Sequence, residues 1–202
     1  MTSVESADVE QSDVRTIIIA GVKLGVMTAL GVVVFSILSR LLEGTLEMVV
    51  QSILIVVGGI VFSYFGAVTI RPRDVDSIAW ASLIGLLGAL VFTVIDTAAL
   101  RPLGVYHWTW DQIGGGSGFW YIPVWWMGAA VLAWLGAWGF SRAEVAGRAS
   151  AVVLSGQTVV ISIVLFAVLG FILGPATAAM MALCFALALI VQLLFAAVIA
   201  RK

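Results

Sequence analysis

The sequence is poor in charge, in cysteine and in histidine. Only 10% of its 202 residues are charged, whereas 62% are hydrophobic, and the mean hydropathy is +1.18. A soluble domain typically carries about 25% charged residues. Polar surface is too scarce here to cover a water-soluble globule, so lipid is the expected solvent. Ten basic against eleven acidic residues give a net charge of −1. No basic field suggests nucleic acid. The single cysteine, Cys184, excludes an internal disulfide. It stands in an apolar run and reads as a packing residue, because a reactive thiol needs exposure and a lowered pKa. The single histidine, His107, leaves too few ligands for a metal site, which usually needs at least about three. No metal and no cofactor is expected.

What is present is apolar sequence in long runs. A helix crossing about 30 Å of hydrocarbon needs roughly 20 apolar residues. Six stretches qualify: 17–39, 48–70, 78–100, 119–140, 152–173 and 175–199. The expected fold is all-α, a polytopic bundle of about six transmembrane helices forming one domain over residues 16–202. Residues 1–15 carry Glu5, Asp8, Glu10 and Asp13 and read as a polar tail. A basic segment, a short apolar core and a small-residue cleavage site would mark a signal peptide. That pattern is missing, so the first run is expected to be a retained span. Gly174-Pro175 alone separates the last two runs. Glycine ends helices and proline opens them, which suggests a tight hairpin; one kinked or re-entrant element is the alternative.

Arginine and lysine distribution gives an orientation. With six spans, Arg15, Arg71, Arg73, Arg142, Arg148, Arg201 and Lys202 share one side, and Arg40 and Arg101 take the other. Positive residues favour the cytoplasm. Both termini are therefore expected to be cytoplasmic, in a plasma or inner membrane, with the 101–118 loop facing outward. Lys23, inside the first span, is near enough to its start to snorkel back.

Helix contacts in lipid rely on small residues that let backbones approach. Gly21/Gly25, Gly170/Gly174, Ala133/Ala137 and Ala178/Ala182/Ala186 have that spacing. They serve either internal packing or a homo-oligomer. Gln192, deep in the last run, is expected to bond between helices. Glu43 and Glu47 are expected to cap the second helix, where a negative charge complements the helix dipole. No internal repeat supports an inverted-repeat transporter.

The unusual side chains gather between residues 96 and 126. Five of the eight tryptophans lie in 108–126: Trp108, Trp110, Trp120, Trp125 and Trp126. Such residues suit a boundary that is wet on one side and apolar on the other. They read either as an aromatic belt or as the wall of a ligand pocket. Asp96 is the one carboxylate within an apolar run. A charge there needs a cavity or a partner, and Arg101 is the nearest candidate, although Pro102 is expected to end the helix first. The alternatives are a structural Asp–Arg pair, a helix-end cap, or a buried proton donor. His107 and Asp111, four apart, could share a helix face and, with Asp96, supply an acid and a base. The Gly114-Gly-Gly-Ser-Gly118 run has neither the preceding strand nor the lysine of a phosphate loop. It reads as a flexible turn, with a hinge role as an alternative.

The run Gly104-Val-Tyr-His-Trp-Thr109, followed by Trp120 and Pro123, resembles the Insig family of six-helix membrane proteins that sense sterols and related lipids. In that family the matching segment precedes the final span; here two spans follow Phe140. A fainter resemblance is to carotenoid hydratases and lycopene-cyclase-like membrane proteins, through the Gly-x-Tyr-x-aromatic segment and Pro123 to Trp126. Those enzymes are thought to use acidic residues to protonate polyenes, a role that would fall here on Asp96 or Asp111. Both resemblances imply an apolar ligand.

The leading expectation is thus a lipid- or isoprenoid-binding protein, possessing a pocket near the outer face. Its ligand-binding residues would be Tyr106, Trp108, Trp120, Tyr121, Trp125 and Asp96, with Asp96, His107 or Asp111 orienting a polar head group. The second expectation is an intramembrane acid–base enzyme using Asp96, His107 and Asp111. The third is a structural or assembly subunit of a membrane complex.

Overall fold

The computed structural model describes residues 14–105, 121–145, 147, 150–174 and 177–199. Among them are six long helices and no strand: α1 (Val14–Leu41), α2 (Gly44–Ile70), α3 (Val75–Ile95), α4 (Tyr121–Val145), α5 (Ala151–Leu173) and α6 (Ala178–Ile199). A π-helical turn, Asp96–Leu100, extends α3. Each helix is long and apolar enough to cross a membrane. Without water to bond free backbone groups, a chain in hydrocarbon must close its hydrogen bonds internally, and helices do so within one segment.

Local signals set the ends. Arg71 terminates α2 in the left-handed region (φ 53°), its N–H donating to the Ala67 carbonyl at 2.8 Å. Pro72 follows and cannot continue the helix. Asp74 opens α3 with a capping box: its carboxylate accepts from the Ser77 N–H at 2.8 Å, while Ser77 Oγ accepts from the Asp74 N–H at 3.1 Å. The Ser77 N–H first, and then Ser77 Oγ, which also donates to Asp74 Oδ1 at 2.7 Å, hold the Asp74 carboxyl below its ordinary pKa. Ser150 caps α5 through the Val153 N–H. Gly174 ends it at φ 103°, and Thr177 caps α6 by accepting from the Met180 N–H at 3.2 Å. The 174–177 junction therefore divides two separate helices. Glu43 occupies the N-cap of α2 but makes no side-chain cap bond. Glu47 instead accepts from Gln51 at 2.7 Å, and Gln51 also reaches Ser39 of α1 at 3.0 Å.

The second helix is central, packing on α1, α3, α4, α6 and, more lightly, α5. The first leans mainly on α3, and the fifth mainly on α6. Register follows from where small residues sit. A Cβ on Gly21 would strike Leu87, and one on Gly25 would strike Val91, so α1 and α3 run parallel in close contact. Gly85 abuts Ala133, Ser82 Oγ donates to the Ala130 carbonyl at 3.0 Å, and Trp126 Nε1 donates to Thr93 Oγ1 at 3.0 Å. Thr93 near the end of α3 meets Trp126 near the start of α4, whereas Ser82 and Gly85, earlier in α3, meet Ala130 and Ala133, later in α4, so this pair is antiparallel. Gly66 lies on the Ala81 carbonyl and Gly136 on the Ser63 carbonyl, backbone against backbone. Gly21, Gly25, Ala133 and Ala137 thus serve packing within the bundle. On α6 the buried face is Met181, Cys184, Phe185, Ala188 and Leu189, whereas Ala182 is exposed. Within the bundle it is Phe185 that meets Gly59 of α2, and Ala182 takes no part in that contact.

Large apolar side chains cover the outside, among them Val22, Val26, Leu30, Ile53, Val57 and Val160. Continuous apolar surface of this kind is a liability in water and the natural exterior in lipid.

Candidate functional site

Asp96 and Arg101 carry charge into the end of α3. The expectation that Pro102 would stop the helix before Arg101 could reach back is overturned. The chain widens into a π turn in which the Arg101 N–H donates to the Asp96 carbonyl, five residues back, at 3.0 Å. One extra residue per turn places side chains five apart next to each other. Arg101 Nε then donates to Asp96 Oδ2 at 2.7 Å. Asp96 is 4% exposed, while the Arg101 side chain keeps a quarter of its surface. A buried carboxylate beside a partly exposed guanidinium is compensated without being sealed off.

Two residues of α1 complete this end of the bundle. Arg40 Nη2 donates to the Gly104 and Val105 carbonyl oxygens, and Ser36 Oγ donates to the Val105 carbonyl. Gly104 adopts φ 61°, a left-handed conformation suited to glycine. The chain leaving α3 is thereby bent over the last turn of α1 and tied there. In the sequence Arg40 reads as a loop charge and Ser36 as one residue of the first span; the signal that marks them is a serine and an arginine four apart on one helix face.

Of the expected ligand-binding residues, Tyr106, Trp108 and Trp120 lie outside the described residues, as do His107, Asp111 and the 114–118 glycine run. Tyr121 is the first residue of α4. Trp125, one turn on, is 59% exposed on the outside of the helix. Its neighbour Trp126 turns inward to Thr93, linking α4 to α3 just below Asp96. The described aromatic and ionic groups thus divide: Asp96, Arg101 and Trp126 share the α3 terminus, and Trp125 faces outward.

A second polar cluster went largely unread. Gln192, expected to bond across helices, does so with α5: Nε2 donates to the Leu154 carbonyl at 3.1 Å and to Gln157 Oε1 at 3.2 Å. Its Oε1 accepts from Tyr64 Oη at 2.7 Å, and Thr158 Oγ1 lies 3.1 Å from it and 3.0 Å from Tyr64 Oη. Tyr64, Thr158 and Gln192 are all buried. Tyr64 stands six residues before the last of α2, Thr158 seven after the first of α5, and Gln192 seven before the last of α6. At a rise of roughly 1.5 Å per residue, each lies about 10 Å from the end bearing Arg71 and Arg73. Equal depth on three helices makes the cluster a cross-link, and every group in it has a partner.

At that same end Arg73 approaches Glu144 to 3.8 Å, joining the α2–α3 turn to the end of α4. Both side chains are partly wet, so the pair adds little stability. In comparisons with protein-family models, with curated proteins and with solved structures, this chain has no match.

Proposed function

We propose that this integral membrane protein binds a lipid or isoprenoid where α3 passes into the 101–120 segment. The observation that carries the reading is the Asp96–Arg101 pair, buried at the end of an otherwise apolar helix and held in a widened turn. Intramembrane charges mark ligand or substrate positions more often than plain packing. The pair offers a donor and an acceptor to a polar head group, and apolar helix surface beside it suits the chain of such a ligand. The aromatic residues of 106–125 supply the remaining contacts in this proposal, with Tyr106, Trp108, Trp120, Tyr121 and Trp125 as the candidates. The likeness of Gly104-Val-Tyr-His-Trp-Thr109 to the Insig segment supports the same ligand class. In this reading the end bearing Arg71, Arg73 and Arg142 is cytoplasmic, together with both termini, and the site lies at the outer face.

The test is native mass spectrometry after gentle extraction. A retained lipid, lost or weakened in Trp120→Ala and in Arg101→Leu, is the expected result. Absence of any retained lipid, together with unchanged lipid affinity in Trp120→Ala, would sink the proposal. An acid–base enzyme acting on an isoprenoid is the second reading, favoured by the burial of Asp96. It requires that Asp96→Asn abolish turnover while the protein still folds and retains lipid.

A further inference from the structure

The outer surface of α5 breaks the apolar pattern at one position. Gln157 is exposed, six residues into a helix of 23 residues. Such a helix is about 34 Å long, so Gln157 lies roughly 9 Å in from its end, within the hydrocarbon. Its Oε1 accepts from Gln192, but its amide nitrogen has no partner among the described residues. A donor left open to lipid is costly, because hydrocarbon offers nothing to bond it.

The surroundings of that amide have a regular spacing. Val153, Gln157, Val160, Val164, Ala167 and Phe171 are all exposed, and their spacing alternates four and three residues. That is the seam of a left-handed helix pair, in which one polar residue sets register and partner number. Beside Gln157, Gly156 is exposed, and a Cβ built there would meet nothing within 4 Å. Its missing side chain lets a neighbouring backbone approach closely. The fifth helix is held mainly by a single neighbour, α6, and the seam residues are exposed.

We propose that a second copy of this chain docks on α5, forming a dimer about an axis normal to the membrane. Copies in one bilayer share one topology, so α5 meets α5 in parallel and Gln157 meets Gln157 at equal depth. A carboxamide carries both donor and acceptor. The amide left open in one protomer is therefore satisfied by the same amide of its partner.

The experiment uses the full chain in native membranes, in a Cys184→Ala background, with single cysteines introduced by Val153→Cys, Val160→Cys, Val164→Cys and, as a control on the opposite flank of the bundle, Val26→Cys. Oxidative cross-linking is expected at the three α5 positions and not at Val26→Cys. In the parent protein in bicelles, Gln157→Leu is expected to weaken the dimer about 3- to 20-fold, the range given by single interhelical hydrogen bonds in membranes. Because Gln157→Leu also removes the bond to Gln192, Gly156→Leu provides a second variant; it adds bulk where the monomer has open space, and monomers are expected. Cross-linking no stronger on α5 than at Val26→Cys, or a dimer as tight in Gly156→Leu as in the parent, would overturn the proposal. A dimer undiminished by Gln157→Leu would remove the amide from it.

Discussion

Replacing Tyr64 by phenylalanine removes one oxygen from the buried cross-link between α2, α5 and α6 and leaves the ring in place. The oxygen donates to Gln192 Oε1 at 2.7 Å and lies 3.0 Å from Thr158 Oγ1. Neither partner is orphaned by its loss: the one proton of Thr158 Oγ1, which lies 2.9 Å from the Leu154 carbonyl and 3.1 Å from Gln192 Oε1, can turn to Gln192 Oε1, because the Leu154 carbonyl still accepts from Gln192 Nε2 at 3.1 Å. The cost is therefore that of two membrane hydrogen bonds without an added desolvation penalty, about 1 kcal/mol in total, at roughly 0.6 kcal/mol each. Reversible unfolding in mixed micelles, titrated with a denaturing detergent and followed by circular dichroism, measures it. A double-mutant cycle with Thr158→Val should return a coupling of about 0.5–1 kcal/mol. Tyr64→Phe as stable as the parent to within about 0.3 kcal/mol, with no coupling to Thr158→Val, would show that the three helices are held by apolar packing alone.

The remaining expectations probe the ends and the close contacts. Arg101→Leu should destabilise by about 3 kcal/mol, since it removes the guanidinium bonded to the buried Asp96 carboxylate, and Asp96→Asn by less; thermal unfolding of both variants and of the double variant, which should recover part of the loss, checks the order. Gly66→Ala drives a methyl group into the Ala81 carbonyl and should cost about 1–3 kcal/mol, whereas Gly58→Ala, with open space around it, should be neutral or stabilising by about 0.5–1 kcal/mol. The same unfolding titration separates the two. Ser63 Oγ is buried without a hydrogen-bond partner among the described residues, so Ser63→Ala should hold or raise stability, by up to about 1 kcal/mol. Asp74 has a folded-state pKa below its ordinary 3.8. Its contribution is therefore fully present above that value and is lost as pH falls through the depressed folded value. Asp74→Ala should remove a cap of about 0.5–2 kcal/mol at neutral pH and flatten stability against pH below about 4.

Apolar run length alone determined most of the architecture. Six runs longer than the hydrocarbon thickness leave a chain no option but helices, because each backbone group must be bonded within its own segment. The observed helices differ from the sequence-based bounds mainly by added residues at α1, at the start of α2 and at the end of α4, where Arg15, Arg40, Glu47, Arg142 and Glu144 continue the helix. That Gly21, Gly25, Ala133 and Ala137 mark close approach was also legible, since close approach requires small residues at a fixed spacing; that the approach is within the bundle came from the structure. Tertiary structure decided the rest. Whether Arg101 reaches Asp96 depended on the widening of one turn, which no spacing rule foretells. That Tyr64, Thr158 and Gln192 form one cluster, rather than three isolated polar residues, depended on α2, α5 and α6 bringing them to equal depth. Hydropathy along a chain measures how far each segment wants to be from water. It carries no information about which helices become neighbours, and bonds between distant residues arise only from that choice.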